Sequence, residues 1–272
     1  MRFKGQSALI TGAASGIGRA TALRLLAEDC MVACLDVDEN GLRTLAAEFD
    51  RLSGNADATR SADEESRLIT VKGSIAAAED VERFVWLAKN SFGRIDFLFN
   101  NAGVEFVSAL EQTNEADWDA VFDVNMKGTF LMSKAVMPHL REVGGGVIVN
   151  NASDAGLRGI RMNAAYSSSK AGIVHLTRSM ALDYGQYNIR TNCICPGCIK
   201  TPLCERFNAE VGAAHGISGA QALQEFVDAN IPMLRVGLPD EVASVVAFLF
   251  SEDAKYVSGA IIPIDGGLTA GL

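Results

Sequence analysis

Ser7-Ala8-Leu9-Ile10-Thr11-Gly12-Ala13-Ala14-Ser15-Gly16-Ile17-Gly18 is the stretch that decides the fold. Ser7–Thr11 reads as a strand, and Ile17–Glu28 reads as a helix with Ile17, Ala20, Thr21, Leu23 and Ala27 turned inward. Between them lies a turn with glycines spaced G-x-x-x-G-x-G. Glycine permits a tight turn and close approach of backbone to a phosphate. The free amides and dipole at a helix N-terminus attract the anion. Three glycines alone are an ordinary strand–helix turn; a strand before and a helix after are the context that nucleotide binding requires. No Gly-Lys-Ser/Thr follows, so this is not a phosphate loop of the ATPase kind.

Outward from that stretch, short apolar runs alternate with helical periodicity. Strands are expected at Met31–Asp36, Leu68–Lys72, Ile95–Asn100, Gly146–Asn151, Ile189–Cys195 and Ala260–Ile264, and further helices at Glu39–Phe49 and Ala78–Phe92. Strands rich in Val, Ile and Leu with helices between them imply parallel strands buried on both faces, hence one doubly wound α/β sheet of about seven strands with helices on both sides. Two segments break the rhythm. Residues 51–67 are polar, lack a helical face and read as a solvated loop. Residues 198–235 are mixed, carry Gly212, Gly216 and Gly219, end near Pro232, and read as a substrate loop or lid. No repeat or linker interrupts residues 1–272, so a single domain is expected.

The chain has 272 residues, 49% of them apolar, enough for a sizeable core. Its net charge of −9 gives no electrostatic footprint for nucleic acid or anionic lipid. The longest apolar runs, such as Val242–Phe250, fall far short of the roughly 20 residues of a spanning helix. Met1–Gly5 leads straight into the first strand without room for a signal peptide, so the cytoplasm is the expected compartment. Cys193, Cys195 and Cys198 form C-x-C-x-x-C, but no histidine or fourth cysteine stands at ligand spacing; no metal is expected, and buried thiols are the plainer reading. His139, His175 and His215 are scattered and read as structural or surface residues, and Trp86 and Trp118 as packing residues.

Asp36 closes the second strand, 18 residues after Gly18. A carboxylate there can accept both ribose hydroxyls of an adenosine and would repel a 2′-phosphate, which favours NAD over NADP. The plainer alternative is that Asp36 caps the next helix. Tyr166 and Lys170 stand four apart, on one face of a helix. An ammonium beside a phenol favours the phenolate, and a lowered tyrosine pKa suits proton transfer. Ser153 lies 13 residues earlier, just past the fifth strand, and Asn125 sits in Val124-Asn125-Met126-Lys127-Gly128.

Glycine turn, Asn100-Asn101-Ala102-Gly103, Ser153, Tyr166 with Lys170, Pro196–Pro202 and Ile264-Asp265-Gly266-Gly267 together resemble the short-chain dehydrogenase/reductase family, from Thr11 to Gly267. The resemblance implies a Rossmann-type fold and hydride transfer between a nicotinamide cofactor and a secondary alcohol or ketone. It implies a catalytic tetrad in which Tyr166 is the general base or acid, Ser153 binds the substrate oxygen, Lys170 lowers the Tyr166 pKa and binds the nicotinamide ribose, and Asn125 holds a water linking Lys170 to solvent. Cofactor contacts are implied for Gly12, Ser15, Gly16, Ile17, Gly18, Asn101 and Gly103, for Ile199 through its backbone, and for Thr201 through its hydroxyl. Ser74 stands where many relatives carry an aspartate near the adenine. Asp154, Arg161, Met162, Asn163, Glu105 and Phe106 are candidates for the substrate pocket.

Relatives also associate, so a homo-oligomer, tetramer or dimer, is expected; Ile173, Val174, Leu176, Met180, Ala181 and Leu182 make the helix after Lys170 apolar on more than one face. Competing readings are an NADPH-preferring carbonyl reductase of the same family, a non-catalytic dinucleotide-binding protein, which an intact tetrad opposes, and a sugar-nucleotide epimerase or dehydratase, which would bring a larger C-terminal domain.

Overall fold

All five side chains of Ser7–Thr11 are buried, so this strand, β1, has no solvent face and needs a sheet covered on both sides. In the computed structural model, which describes residues 1–53 and 67–271, it pairs in parallel with β2 (Met31–Asp36) and β4 (Phe97–Asn100). With β3 (Leu68–Lys72), β5 (Gly146–Asn151), β6 (Ile189–Pro196) and β7 (Ile261–Ile264) the order is β3-β2-β1-β4-β5-β6-β7. Every pairing is parallel. The strands match the sequence-based expectation, with ends shifted by one or two residues.

Parallel neighbours require crossovers, and these place helices on both faces. Ala8 and Ile10 face a core shared with α1 (Gly16–Ala27), α2 (Glu39–Leu52) and α9 (Pro239–Phe250), through Leu25, Leu45, Val246 and Phe250. Leu9 faces the opposite core, built with α3 (Ala78–Phe92), α5 (Thr129–Glu142) and the far end of α6 (Ala164–Tyr184), through Phe84, Met132 and Met180. The strand order reverses between β1 and β4, so a crevice opens at their carboxyl ends, where ligands of such sheets bind.

Three expectations need correction. The helix α2 continues to Leu52, so the polar segment begins as helix; its residues 54–66 lie outside the described residues. The stretch 198–235 is largely helical: α7 (Pro202–His215) and α8 (Gly219–Asn230) fill it. Its glycines suggested breaks, but only Gly216 acts as one, capping α7 at φ +69°. A Cβ on Gly212 would lie 2.8 Å from the Ile217 carbonyl oxygen, and one on Gly219 2.9 Å from the Ala209 Cα. Those two glycines let α7 and α8 approach closely. Finally, Trp86 does not pack inside; it is 61% exposed on α3.

Along α6, Ile173, Val174 and Met180 are buried within the monomer, while Leu182 is 84% exposed. Among the described residues no helix is long and apolar enough to cross a membrane.

Candidate active site

The carboxyl ends of the central strands border a cavity of about 1680 Å³, running from Asp36 and Ser74 past Tyr166 and Lys170 to Phe207 and Phe226. That exceeds the roughly 300–1,000 Å³ of a pocket for one drug-sized ligand.

At one end stands the glycine turn. Gly12 and Gly16 have φ of +65° and +54°, which other residues rarely adopt. Gly18 is needed for a different reason: a Cβ there would lie 2.2 Å from the Gly12 carbonyl oxygen. Ser15 is extended and makes no side-chain cap to α1, so the first-turn amides carry no cap where Ser15, Gly16 and Ile17 border the cavity. Uncapped amides with the positive end of the dipole suit a phosphate group.

Asp36 lines the same end. Its two carboxylate oxygens accept the N–H groups of Ala14 and Asp38, each at 2.9 Å, which ties the glycine turn to β2. Lone pairs remain free on both oxygens. Asp36 does not cap the next helix; Asp38 does, accepting from the amides of Asn40 and Gly41 at 3.1 Å. Nearby, Ser74 borders the cavity and its N–H donates to the Asp80 carboxylate at 2.9 Å.

Asn101 is turned inward. Its side-chain amide donates to the carbonyls of Thr11 and Gly12, both at 3.0 Å, and its oxygen accepts from Asn151 at 2.9 Å. The side chain is thereby committed to bracing the turn. One register step below, the paired Asn100 and Asn150 join at 2.9 Å and reach Ser133 on α5 and Thr177 on α6. This buried amide ladder fixes both helices to the strand ends.

At the middle of the cavity, Tyr166 and Lys170 share one face of α6. The Lys170 ammonium is 5.5 Å from the Tyr166 ring centre and donates to the Asn151 carbonyl at 2.8 Å. A Cβ on Gly103 would lie 3.2 Å from that ammonium and 3.3 Å from Asn125 Oδ1, so glycine there leaves room for both. Asn125 lies in a π-helical turn, Asp123–Gly128, between α4 (Glu115–Phe122) and α5. Its side chain accepts from the Val104 N–H and donates to the Val104 carbonyl and to Ser169, all at 2.9 Å. Ser153 sits just past β5, accepts the Ala155 N–H at 3.2 Å and donates to Asp154 at 3.0 Å. Arg158 holds that carboxylate with contacts of 3.0 and 2.8 Å.

The electrostatics differ from the expectation that Lys170 lowers the Tyr166 pKa. Burial pushes the Tyr166 phenol well above its ordinary value, the Glu105 charge adds to this, and a hydrogen bond with Ser153 opposes it. Burial also pushes Lys170 down, to about 8. Desolvation disfavours the charged form of both groups.

A family model described as enoyl-(acyl carrier protein) reductase matches residues 12–269. Levodione reductase of Leifsonia aquatica is 39% identical over 99% of this chain and 96% of its own; a crystal structure of a levodione reductase, 38% identical, superposes with a TM-score of 0.91 over 100% of both chains. Cyclohexanol dehydrogenase of Acinetobacter sp. (strain SE19) is 36% identical over 99% of this chain and 97% of its own. A 3-ketoacyl-(acyl-carrier-protein) reductase from Brucella melitensis, crystallised with NADH, is 29% identical, with a TM-score of 0.83 over 98% of this chain and 99% of that one. The chain belongs to the short-chain dehydrogenase/reductase family. It is an oxidoreductase of the alcohol and ketone class that these relatives' names describe.

In this family member the segment after β6 completes the cavity. Ile199 packs its side chain on Gly237, where a Cβ would lie 2.5 Å from Ile199 Cδ1, and Gly197, Cys198 and Ile199 border the cavity. The Thr201 hydroxyl donates to the Ile199 carbonyl at 3.2 Å and accepts the Cys204 N–H at 3.3 Å. Thr201 is thus the N-cap of α7, with Pro202 in the first turn. Threonine followed by proline was a legible helix start. The end of the cavity away from the glycine turn holds Glu105, which accepts from Asn163 Nδ2. Burial raises the Glu105 carboxyl to about 7, against the opposing hydrogen bond from Asn163 and the Lys170 charge. Phe207 and Phe226, on α7 and α8, also line this end; reading 198–235 as a loop hid them.

Proposed function

We propose that this short-chain dehydrogenase/reductase is an NAD-dependent oxidoreductase of secondary alcohols and their ketones, with Asn125, Ser153, Tyr166 and Lys170 as its catalytic tetrad. The observation that carries this reading is the convergence of Ser153, Tyr166 and Lys170 on the middle of one cavity whose far end presents uncapped amides and the Asp36 carboxylate. The fit to a dinucleotide is chemical: amides of Gly16, Ile17 and Gly18 for phosphate, Asp36 for ribose hydroxyls, Lys170 for the second ribose, and the 197–201 segment, with Ile199 and Thr201, for the carboxamide. Gly12 and Gly103 keep the backbone close, and Asn101 acts by bracing the turn.

The nicotinamide ring, when bound, supplies the hydride acceptor or donor. The chain's own residues handle the proton. In ketone reduction Tyr166, held protonated by burial, gives its phenolic proton to the substrate oxygen while Ser153 hydrogen-bonds that oxygen. In alcohol oxidation the proton returns from the alcohol to Tyr166, which requires its pKa to fall once the site is filled. Lys170 and Asn125 position the relay, Asn125 by holding the Val104 backbone and Ser169 beside it.

A net negative acidic chain with no membrane-length helix among its described residues fits work in the cytoplasm on a small alcohol or ketone, and the remaining exposure of α6 at Leu182 fits a homodimer or homotetramer. Mixing the protein with NAD or NADP and a panel of secondary alcohols, and following nicotinamide reduction by absorbance, tests the reading. Turnover with NAD exceeding that with NADP is expected; preference for NADP overturns the role of Asp36. Light scattering at micromolar concentration tests assembly: a mass near the monomer's 28.9 kDa removes it.

A further inference from the structure

Two cysteines take no part in the chemistry above. Cys30, Cys34, Cys193 and Cys195 are buried, whereas Cys198 and Cys204 are partly exposed and both line the cavity. Their sulfur atoms are 3.0 Å apart. Cys198 stands on the segment leaving β6, where its carbonyl accepts the Gly237 N–H at 2.9 Å. Cys204 stands in the first turn of α7, with its N–H on the Thr201 hydroxyl at 3.3 Å and its sulfur accepting from Asn208 at 3.3 Å. Two partly exposed thiols from separate structural pieces therefore meet on the wall of the cavity. Among the described residues no group of three or more His, Cys, Asp or Glu side chains is arranged for a metal, so coordination does not account for the pair.

We propose that Cys198 and Cys204 form a redox dithiol site, oxidised by a hydroperoxide to an intramolecular disulfide that ties the first turn of α7 to the segment leaving β6. A disulfide needs sulfurs at about 2.05 Å, so closure from 3.0 Å asks for a movement of roughly 1 Å, within reach of side-chain rotation. The roles of the two sulfurs follow from their surroundings. The two sulfurs share one hydrogen bond, and Cys204 is the one in the first turn of α7, where the helix dipole favours an anion, so it is the one pulled down. Cys198 is pushed up and keeps its proton.

The Cys204 thiolate attacks one peroxide oxygen, an S–O bond forms and the O–O bond breaks. The hydroxide released takes the Cys198 proton and leaves as water. The Cys198 thiolate then attacks the sulfenic sulfur, the S–S bond forms and the S–O bond breaks. That second hydroxide takes up the proton that Cys204 had given to solvent. Two thiols and one hydrogen peroxide become one disulfide and two waters; sulfur loses two electrons and peroxide gains them.

The test uses the full chain treated with increasing hydrogen peroxide, unfolded in an alkylating agent and weighed. Four alkylated cysteines in place of six are expected, with all six recovered after dithiothreitol. Trypsin should release Thr191–Lys200 joined to Thr201–Arg206, and fragmentation should place the bond on Cys198 rather than on Cys193 or Cys195. C198S should stop at an oxyacid on Cys204, and C204S should leave Cys198 unoxidised at the same dose. Six alkylated cysteines throughout, a bond on Cys193 or Cys195, or a cross-link between chains overturns the site. The tie itself is read by hydrogen exchange of Pro202–His215, which should slow about tenfold or more in the disulfide form; unchanged exchange overturns it. None of these readouts uses turnover, so they stand apart from the test of the proposed oxidoreductase activity.

Discussion

The two ends of the cavity are built differently. At the glycine-turn end, nearly every contact is main chain or a short side chain bound to main chain: Asp36 on Ala14 and Asp38, Asn101 on Thr11 and Gly12. At the other end, side chains meet side chains: Glu105 with Asn163 across 58 residues, and, closer in sequence, Ser153 with Asp154, Asp154 with Arg158 and Cys198 with Cys204. Under the proposed function the first end would bind what every dinucleotide shares, which needs few residue types. The second carries ionisable groups in a buried setting, where small changes alter charge state and specificity.

The sharpest way to break the comparison is Tyr166→Phe. Removing one hydroxyl at the chemical end should lower kcat about 10²–10⁴-fold, while NAD affinity, read by titration calorimetry, stays close to the parent. Activity within tenfold of the parent would sink the assignment of Tyr166, and lost NAD binding would show that the two ends are not separable.

Glu105→Gln probes the buried carboxyl beside it. With a folded-state pKa raised to about 7 from 4.5, Glu105 binds its proton more tightly in the native chain than in the unfolded one. Its contribution to stability is therefore full below about pH 4.5 and lost as pH rises through about 7. In urea unfolding the parent should lose up to roughly 3 kcal/mol relative to the variant between those pH values. A difference that does not vary with pH means that Glu105 is not buried as described.

Asp36→Ala combined with Val37→Arg acts at the other end. It should move the ratio of kcat/KM for NAD and NADP toward NADP by about tenfold or more, roughly 1.4 kcal/mol. The smallest effect is expected from Asp38→Ala, which removes the α2 cap: about 1 kcal/mol of stability, read from the denaturation midpoint, with the cofactor ratio unchanged. A changed ratio there would mean that Asp36 and its neighbour share one role.

The sequence by itself determined the sheet. Apolar runs of strand length and glycines at the β1–α1 turn are local signals, because backbone conformation and burial on both faces constrain residue type position by position. It also determined which residues meet on α6, since Tyr166 and Lys170 share a face through helical period alone. Thr201-Pro202 held a helix start in plain view, yet Gly212 and Gly219 masked the helices, because a glycine used for close helix contact looks in sequence like one used for a break. Tertiary structure alone decided the rest. Whether Tyr166 is pulled down by Lys170 or pushed up by burial depends on desolvation, which the whole cavity wall sets. The bond of Glu105 with Asn163, 58 residues on, and the gathering of Glu105, Ser153 and Cys204 around one cavity depend on how the loop after β4, the turn after β5 and the first turn of α7 converge. That convergence is fixed by packing between segments far apart in the chain.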